Sequence, residues 1–414
     1  MMGLVRHDNM PQDRKPCLLV LASTYPRWAG DPEPGFVHEL ARRLTGHFKV
    51  TVLCPHAPGV PTEETIDAVD VVRYRYAPEA WETLVNDGGI VANLKRANWK
   101  YLLVPSFVLA QLWYAWRLAR RLRVDVVHAH WLVPQGLIAA IMQWLPGRNV
   151  PFVVTSHGAD LYALKGPWLD RIKTFVARRA AAVTVVSSAM RERLGELGVP
   201  AGKVSVQPMG VDLTERFVPD PAVPRSRRRI LFVGRFVEKK GLRYLLKAMP
   251  LVLRQMPDAS LDIAGFGPEE AVLKGQVRSL GLDMHVRFLG GLSQSQLPDL
   301  YRRAALLVAP FVQAGSGDEE GLGLVLVEAI GCGCPVVVGR VPAIADVLGE
   351  SHPEVVVDPK DATALAARIV EVLSDAATSA AAAEVLLTTA ASKFDWSGVC
   401  RRYGALLRRV SGVS

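Results

Sequence analysis

Residues 318–338 read DEEGLGLVLVEAIGCGCPVVV, in which a turn, an apolar helix and an apolar strand follow one another. One acid, Glu320, precedes a glycine-rich turn at 321–323, and a second, Glu328, falls inside the otherwise apolar helix. Burial of an unpartnered carboxylate costs several kcal/mol, so Glu328 requires a polar partner. The glycines predict a helix start with free backbone N–H groups, which attract phosphate together with the helix dipole. These features indicate either a nucleotide-sugar pocket or a structural Glu paired with an Arg of a neighbouring element.

On both sides of this stretch, short β-branched runs alternate with longer helical patterns along the chain. Such alternation is typical of βαβ units, in which helices cover both faces of a parallel sheet. We therefore predict an α/β fold. Strands are expected at 17–22, 49–54, 69–74, 125–128, 151–156, 182–187 and 203–207, and then at 230–233, 261–264, 286–289, 306–309, 335–338 and 355–357.

One segment, 210–229, interrupts the alternation. It reads GVDLTERFVPDPAVPRSRRR, is rich in proline and charge, and has no periodicity, which predicts an interdomain linker. A chain of 414 residues with 50% apolar residues is long enough for about two or three domains. Two doubly wound domains side by side would hold their ligand in the cleft between the carboxyl ends of both sheets.

The composition limits the class of partner and the compartment. A net charge of +9 predicts a negatively charged partner, and the absence of a nucleic-acid-binding motif favours an anionic lipid or a phosphorylated substrate over nucleic acid. The five cysteines are scattered, and Cys332 and Cys334 stand between glycines in an apolar run. We therefore expect buried thiols, a reducing cytoplasm and no metal site. Neither a secretory signal nor a run of about 18 apolar residues is found, so no spanning helix is expected.

Residues 88–124 contain seven Lys and Arg residues, several aromatic residues and no Asp or Glu. Basic and aromatic residues around an apolar helix are typical of a segment that lies on an anionic membrane surface. The alternative is a core helix with a solvated basic end. The first interpretation predicts a cytoplasmic protein that attaches peripherally to the inner face of the plasma membrane.

Several candidate site residues come directly after predicted strands. His157 follows the strand at 151–156, and Gly158 next to it permits close approach of a ligand. A single histidine at a strand end is more often structural than functional. His128 and His130 share one face of a strand, but without a suitably spaced third ligand they do not predict a metal site.

Two cations, Arg235 and Lys240, lie between the strand at 230–233 and the following helix. Cations in such a loop suit a diphosphate that gains charge as it leaves, although either residue alone could be a solvated surface charge. Gly265 and Gly267 follow the next strand, but the pattern lacks the third glycine of a dinucleotide fingerprint.

The first strand ends in a turn rich in Gly and Pro, from Gly30 to Gly35, that leads into a helix near Phe36. Such a turn can bring backbone close to a phosphate or a sugar, although most turns of this composition only connect elements. The chain has no P-loop lysine signature and no G-x-S-x-G elbow, which argues against a P-loop ATPase and a serine hydrolase.

Taken in order, the motifs are STYP with its glycine turn, DVVHAHW, TSHGAD, MGVD at 209–212, VGRFVEKKG, AGFGP, and the two acids of the opening stretch. This ordered set resembles the family 4 retaining glycosyltransferases of the GT-B fold, over nearly the whole chain. The resemblance implies two Rossmann-like doubly wound domains facing a central cleft. Residues 1–212 would bind the acceptor, 213–394 would bind the nucleotide sugar, and 395–414 would form a helix that crosses back to the first domain.

The resemblance also implies roles for individual residues. Arg235 and Lys240 would bind the diphosphate, Glu320 the hydroxyls of the donor sugar, and Glu328 the ribose hydroxyls. His157 would contact the sugar from the opposite domain, and with Arg235, Lys240 and Glu320 it completes the implied catalytic set. The donor site would also include Gly35, Gly265, Gly321, Leu322 and Gly323, and the acceptor side would include His130 and Asp160. The separation of Gly30 from Gly35 departs from the adjacent glycines that are usual in the family.

The implied reaction is front-face displacement with retention, in which the leaving phosphate helps to remove the acceptor proton and no metal or other cofactor is required. The acceptor would be a lipid-linked molecule, a polysaccharide or a small molecule. Two alternatives remain: a nucleotide-sugar epimerase or phosphorylase of the same architecture, and a non-catalytic partner subunit. The intact charged motifs argue against the second of these.

Overall fold

The first half of the chain forms an eight-stranded sheet. The computed structural model describes residues 14–28, 31, 35–86, 89–147, 149–349 and 355–413. The strands are β1 (Cys17–Leu21), β2 (Lys49–Pro55), β3 (Glu63–Ile66), β4 (Val69–Tyr74), β5 (Val126–His130), β6 (Phe152–Ser156), β7 (Ala182–Val185) and β8 (Val204–Val206). Their order is β3-β4-β2-β1-β5-β6-β7-β8, and every pair is parallel except β3 with β4. The central strands β1, β5 and β6 are buried along their whole length, as expected for apolar strands covered on both faces.

Seven helices of this half are described: α1 (Phe36–Leu44), α2 (Ile90–Arg96), α3 (Leu103–Arg121), α4 (Leu137–Met142), α5 (Ala159–Tyr162), α6 (Pro167–Arg179) and α7 (Ser188–Glu196). Helix α3 packs against the sheet through Phe107, Ala115 and Leu118, which recur at the spacing of one helical face. The side chain of Gln111 donates a hydrogen bond to the carbonyl of Ala22, just beyond the end of β1. The first turns of α3 therefore extend past the carboxyl edge of the sheet.

The second half forms a six-stranded, fully parallel sheet. Its strands are β9 (Arg229–Val233), β10 (Ser260–Ala264), β11 (Val286–Gly290), β12 (Leu306–Ala309), β13 (Val336–Gly339) and β14 (Val356–Val357), in the order β11-β10-β9-β12-β13-β14. Its helices are α8 (Leu242–Gln255), α9 (Glu270–Ser279), α10 (Leu297–Arg303), α11 (Leu324–Gly331), α12 (Ile344–Leu348), α13 (Ala362–Ser374) and α14 (Ala376–Phe394). The predicted α/β fold, with two doubly wound sheets, is confirmed.

The last helix, α15 (Trp396–Ser411), packs against the first sheet although it follows the second in sequence. Its Tyr403 hydroxyl donates to the carbonyl of Gln207 at 2.8 Å, and the amide of Trp396 donates to the carbonyl of Val211. These contacts attach α15 to the first sheet.

The segment predicted as a linker has no helix or strand between β8 and β9, but it is not a free connection. Leu213 and Phe217 are buried in an apolar core that continues from the first sheet into the second. Arg225 donates to the carbonyls of Tyr301 and Ala304, so charged residues that suggested solvent exposure instead hydrogen-bond to backbone. The segment predicted as an interdomain linker therefore lies between the two sheets and packs against them, because Phe217 is buried and Arg225 satisfies carbonyl groups at the end of α10.

Candidate functional site

The loops after β9 and β12 bring together a lysine and a glutamate that are 80 residues apart in sequence. The Nζ atom of Lys240 lies 2.6 Å from Oε2 of Glu320, and both side chains are largely buried. The ammonium group also lies 4.8 Å from the centre of the Phe311 ring. Phe311 is the second residue after the end of β12, so the sheet positions the aromatic ring that Lys240 contacts.

The charges around Glu320 keep its carboxylate ionised. Burial alone would raise its pKa, but the positive charges of Lys240 and Lys239 outweigh burial and lower the pKa to about 2. The site therefore contains an ionised carboxylate, Glu320, in contact with the side chain of Lys240. Sugar hydroxyls can donate hydrogen bonds to Glu320, and phosphate oxygens can accept hydrogen bonds from Lys240.

Arg235 stands in a loop whose backbone is held by the neighbouring loop after β10. The amide of Phe236 donates to the carbonyl of Phe266, and the amide of Gly234 donates to Ala264. A Cβ atom at Gly265 would lie 1.9 Å from the carbonyl oxygen of Gly234, so only glycine fits there. Gly265 was predicted to bind the nucleotide sugar, and the structure shows that the absence of a side chain at this position lets the loop after β10 pack closely against Gly234 and Phe236.

Glu328 on α11 is buried, and neutral groups satisfy its carboxylate. The Tyr301 hydroxyl donates to Oε2 at 2.8 Å, and Nε2 of Gln294 donates to Oε1 at 3.5 Å. Burial raises the pKa of Glu328 to about 7, despite these hydrogen bonds and the more distant charges of Lys240 and Arg216. The alternative partner considered above, an arginine in a close ion pair, is not found among the described residues.

On the first domain, His157 lies at the carboxyl end of β6 in an aromatic setting. Its ring stacks on His130 at 5.2 Å between centres and contacts Phe36 and Trp131. The Nδ1 atom of His130 lies 2.9 Å from Nε2 of His157, so one ring donates to the other. Burial lowers the pKa of His157 to about 3, which keeps the imidazole neutral.

The two domains meet at His157. A Cβ atom at Gly321 would lie 2.7 Å from the carbonyl oxygen of His157, and one at Gly158 would lie 3.2 Å from the Cα atom of Gly321. The glycine-rich turn before α11 therefore lies against the loop after β6. Leu322 in the same turn is buried in the core, so only its backbone is available to a ligand.

Asp160 was predicted to orient an acceptor hydroxyl, but the structure places it beneath the cleft surface. The backbone amide of Leu132 donates to one of its oxygens at 2.6 Å, and the Ser156 hydroxyl donates to the other at 2.9 Å. Its side chain is fully enclosed, and burial raises its pKa. Asp160 thus fixes the loop around His157, and direct contact with an acceptor is not supported. His130 is likewise buried, and its ring contacts that of His157.

The first loop is described in part. Gly35 precedes α1, and the adjacent Phe36 contacts His157, so Gly35 lies close to the cleft. Gly30 lies outside the described residues. Among the residues that the structure describes, no group of three His, Cys, Asp or Glu side chains could hold a metal ion.

Two family models match the chain in succession. One, described as Glycosyltransferase Family 4, matches residues 36–215, and the other, described as Glycosyl transferases group 1, matches residues 214–385. The chain belongs to glycosyltransferase family 4.

Comparison with individual proteins agrees with this assignment. This chain is similar to a GDP-mannose-dependent alpha-(1-6)-phosphatidylinositol monomannoside mannosyltransferase of Mycolicibacterium smegmatis. The two are 31% identical over 252 residues, which is 58% of this chain and 65% of that relative. The chain is 29% identical over 294 residues to a glycogen synthase of Mycobacterium tuberculosis, across 68% of this chain and 67% of the synthase. The first match thus spans slightly less than two thirds of the mannosyltransferase.

A solved structure establishes the fold. Sucrose-phosphate synthase from Thermosynechococcus elongatus superposes with a TM-score of 0.77 at 22% identity, over 96% of this chain and 100% of the synthase chain. The predicted GT-B fold is confirmed for this family 4 glycosyltransferase.

The sequence did not reveal a further contact between the two domains of this family 4 glycosyltransferase, which is formed by Asp346 and Ser188. Asp346, on α12 of the second domain, accepts hydrogen bonds at 2.8 Å from the backbone amide and the hydroxyl of Ser188, at the start of α7 in the first domain. A carboxylate from one domain therefore caps a helix of the other. No local sequence signal could have revealed it, because the cap and the helix are 158 residues apart.

Proposed function

We propose that this family 4 glycosyltransferase moves a hexosyl group from a nucleotide diphosphate sugar to a lipid-linked or saccharide acceptor with retention of anomeric configuration. The observation that carries the proposal is the arrangement at the domain interface, where the Lys240–Glu320 pair and the 321–323 turn meet His157 of the opposite domain. Lys240, a cation for a diphosphate, and Glu320, an anion for sugar hydroxyls, thus lie beside the turn that contacts the backbone of a neutral histidine of the opposite domain.

In the proposed reaction, Arg235 and Lys240 bind the diphosphate and stabilise the charge that develops on it as the glycosidic bond breaks. Glu320 accepts hydrogen bonds from the donor sugar, and Glu328 accepts them from the ribose. None of the carboxylates in this arrangement is assigned as a nucleophile: Glu320 and Glu328 are assigned to hydroxyls of the donor, and Asp160 accepts hydrogen bonds from Ser156 and Leu132 beneath the cleft surface. This supports front-face displacement, in which the leaving phosphate takes the acceptor proton, over a double displacement through a carboxylate nucleophile. The residues assigned to the donor need no metal or other cofactor for this step.

The proposed function is tested by finding the donor and then following the product. Nucleotide sugars are first screened for thermal stabilisation, since a ligand of the folded state raises the melting temperature. The best donor is incubated with lipid-linked and soluble acceptors, and the anomeric configuration of the product is read by NMR. We expect a product with the anomeric configuration of the donor. An inverted product would overturn the retaining mechanism, and an epimerised donor without acceptor would support an epimerase instead.

The acceptor and the location of the enzyme are part of the same proposal. The outward side of α3 and the turn before it expose apolar residues. In the turn, Trp99 is 47% exposed and Leu102 is 81% exposed, and on α3 Leu109 is 64% exposed and Trp113 is 47% exposed. By length and composition, Asn98–Arg121 would suffice to cross a bilayer, but its other face packs on the sheet. We propose that this surface lies on an anionic membrane of the cytoplasmic side.

The position of the basic and apolar residues favours a lipid surface. Arg117 stacks on Trp113 and Arg120 stacks on Trp116 towards the end of α3, where they can meet anionic headgroups. The apolar first turns extend past the carboxyl edge of the sheet, which is also the edge that carries His157. A lipid-linked acceptor would therefore arrive at the cleft from the membrane side. The similar mannosyltransferase of Mycolicibacterium smegmatis is named for a phosphatidylinositol monomannoside.

Replacement of Trp99 and Trp113 by alanine together is expected to weaken binding to vesicles of phosphatidylglycerol and phosphatidylcholine by roughly tenfold or more at low salt, because two large apolar side chains no longer enter the interface. Cosedimentation measures the bound fraction. The matched control is Trp168→Ala, which removes a tryptophan that is 76% exposed on α6 and also stacks with an arginine. Equal binding by the double variant and the wild type, or no binding by either, would contradict membrane docking through α3.

A further inference from the structure

Tyr301 is a buried phenol directly behind the site assigned to the nucleotide. It lies on α10, its side chain is fully buried, and its hydroxyl donates to Oε2 of Glu328 at 2.8 Å. Its ring packs on Phe217, and its backbone carbonyl accepts a hydrogen bond from Arg225 at 3.0 Å. The phenol is thus held in place by the segment that joins the two domains.

The surroundings of Glu328 make this hydrogen bond important. Within the described part of the chain, Glu328 has no close ion pair, and its second oxygen is reached by Gln294 only at 3.5 Å. The charged or titratable groups that influence it are Lys240 before α8, Arg216 in the joining segment and Cys332 at the end of α11. Lys240 is already paired with Glu320. The Tyr301 hydroxyl is therefore the short hydrogen bond that stabilises the ionised form of Glu328.

We propose that Tyr301 is a positioning residue for donor binding: its hydroxyl holds Oε2 of Glu328 and leaves Oε1 to accept the ribose hydroxyls. This inference rests on the proposed function, and it adds a residue and a pH dependence that the proposed function does not contain. Tyr301 itself does not touch the donor.

The direction of the pH effect follows from the chemistry of the two partners. Ribose hydroxyls donate, so they require the ionised carboxylate of Glu328, whose pKa burial raises to about 7. Donor affinity is therefore full above this pH and falls as Glu328 takes up a proton below it. Loss of the Tyr301 hydroxyl removes a group that lowers the pKa of Glu328, so the decline in affinity begins at a higher pH.

The test compares wild type, Tyr301→Phe and Tyr403→Phe by the donor KM and kcat at pH values on both sides of about 7. Tyr403 is the matched control because it is also a fully buried phenol, but its hydroxyl donates to the carbonyl of Gln207 on the first domain. We expect the donor KM of Tyr301→Phe to rise about tenfold at neutral pH, with its pH profile moved to higher pH and kcat unchanged at saturating donor. Tyr403→Phe should keep the wild-type KM profile.

Three outcomes would overturn the inference. One is a wild-type donor KM that does not change between acidic and alkaline pH, which requires no variant. The second is an unchanged KM profile in a folded Tyr301→Phe variant, and the third is a fall in kcat with the KM preserved. In all three the enzyme still transfers sugar, so they leave the proposed function intact. If the wild-type protein binds no nucleoside diphosphate at all, both the proposed function and the role of Tyr301 are wrong.

Discussion

Replacement of Lys240 by alanine is expected to lower kcat by about a hundredfold to a thousandfold while the donor KM changes by only a few fold. The ammonium group is held against Glu320 at 2.6 Å and over the ring of Phe311, so it is preorganised before the donor arrives. Its charge matters most when negative charge develops on the leaving diphosphate. Steady-state kinetics with the donor identified by thermal screening measures both constants.

The adjacent lysine provides a matched control. Lys239 pairs with Asp318 at 3.2 Å and donates to the carbonyl of Glu319, so it holds the acidic loop before the turn at 321–323. Lys239→Ala also removes one positive charge, but from the residue before Lys240, and it should change kcat by only a few fold. Equal losses in the two variants would show that general positive charge suffices, and an unchanged kcat in Lys240→Ala would contradict the role assigned to Lys240.

Replacement of Glu328 by glutamine is expected to raise the donor KM by about tenfold to a hundredfold, because hydrogen bonds from ribose hydroxyls to a charged acceptor contribute roughly 1.5–3 kcal/mol. The same change should stabilise the unliganded protein at alkaline pH. Burial raises the pKa of Glu328 from 4.5 to about 7, so the folded state disfavours the ionised form. Donor kinetics and thermal unfolding at two pH values measure the two effects.

The sign of the stability effect is fixed by the raised pKa. Because the folded protein binds a proton to Glu328 more tightly than the unfolded chain does, stability decreases as pH rises from about 4.5 to about 7 and stays lower above that. The penalty corresponds to about 3 kcal/mol, and Glu328→Gln removes it above neutral pH but gives no gain at pH 4. The ionised Glu328 that the proposed ribose contact requires therefore lowers the stability of the unliganded enzyme.

A second buried glutamate serves as the control for this variant. Glu82 in the first domain is also fully buried, but it pairs with His56 and with Arg75. Removal of its charge leaves the buried His56 and the part-exposed Arg75 without an anionic partner, so Glu82→Gln should destabilise the protein and leave the donor KM unchanged. If Glu328→Gln also lowers the melting temperature at alkaline pH, the assigned ionisation of Glu328 is wrong.

Most strands of both sheets could be predicted from the sequence, because fully buried parallel strands are continuous apolar runs. The expected strands at 69–74 and 306–309 coincide with β4 and β12, and the others differ by one to three residues at their ends. Strand β3, EETI, was missed because it is a polar edge strand that pairs antiparallel only with β4. Its residues carry no apolar alternation, so its strand conformation depends on a partner that the local sequence does not specify.

The Lys240–Glu320 pair could be anticipated from the sequence, because charged residues in the loops after strands stand out against apolar surroundings. Lys240 and Glu320 were identified in this way, and the structure places them in contact. What the sequence could not show is which polar groups face the ligand. Asp160 follows His157 closely in sequence but turns inward to Leu132 and Ser156, and Tyr301 reads as an ordinary core residue until its hydroxyl is seen on Glu328.

The most direct test of the account is a crystal structure of the protein with the nucleoside diphosphate that stabilises it most. We predict that the diphosphate contacts Arg235 and Lys240, that the ribose hydroxyls contact Glu328, and that the space for the sugar lies between Glu320 and His157. A nucleotide bound elsewhere, or one in this cleft that touches neither Lys240 nor Glu328, would contradict the claim that both domains converge on one activated sugar.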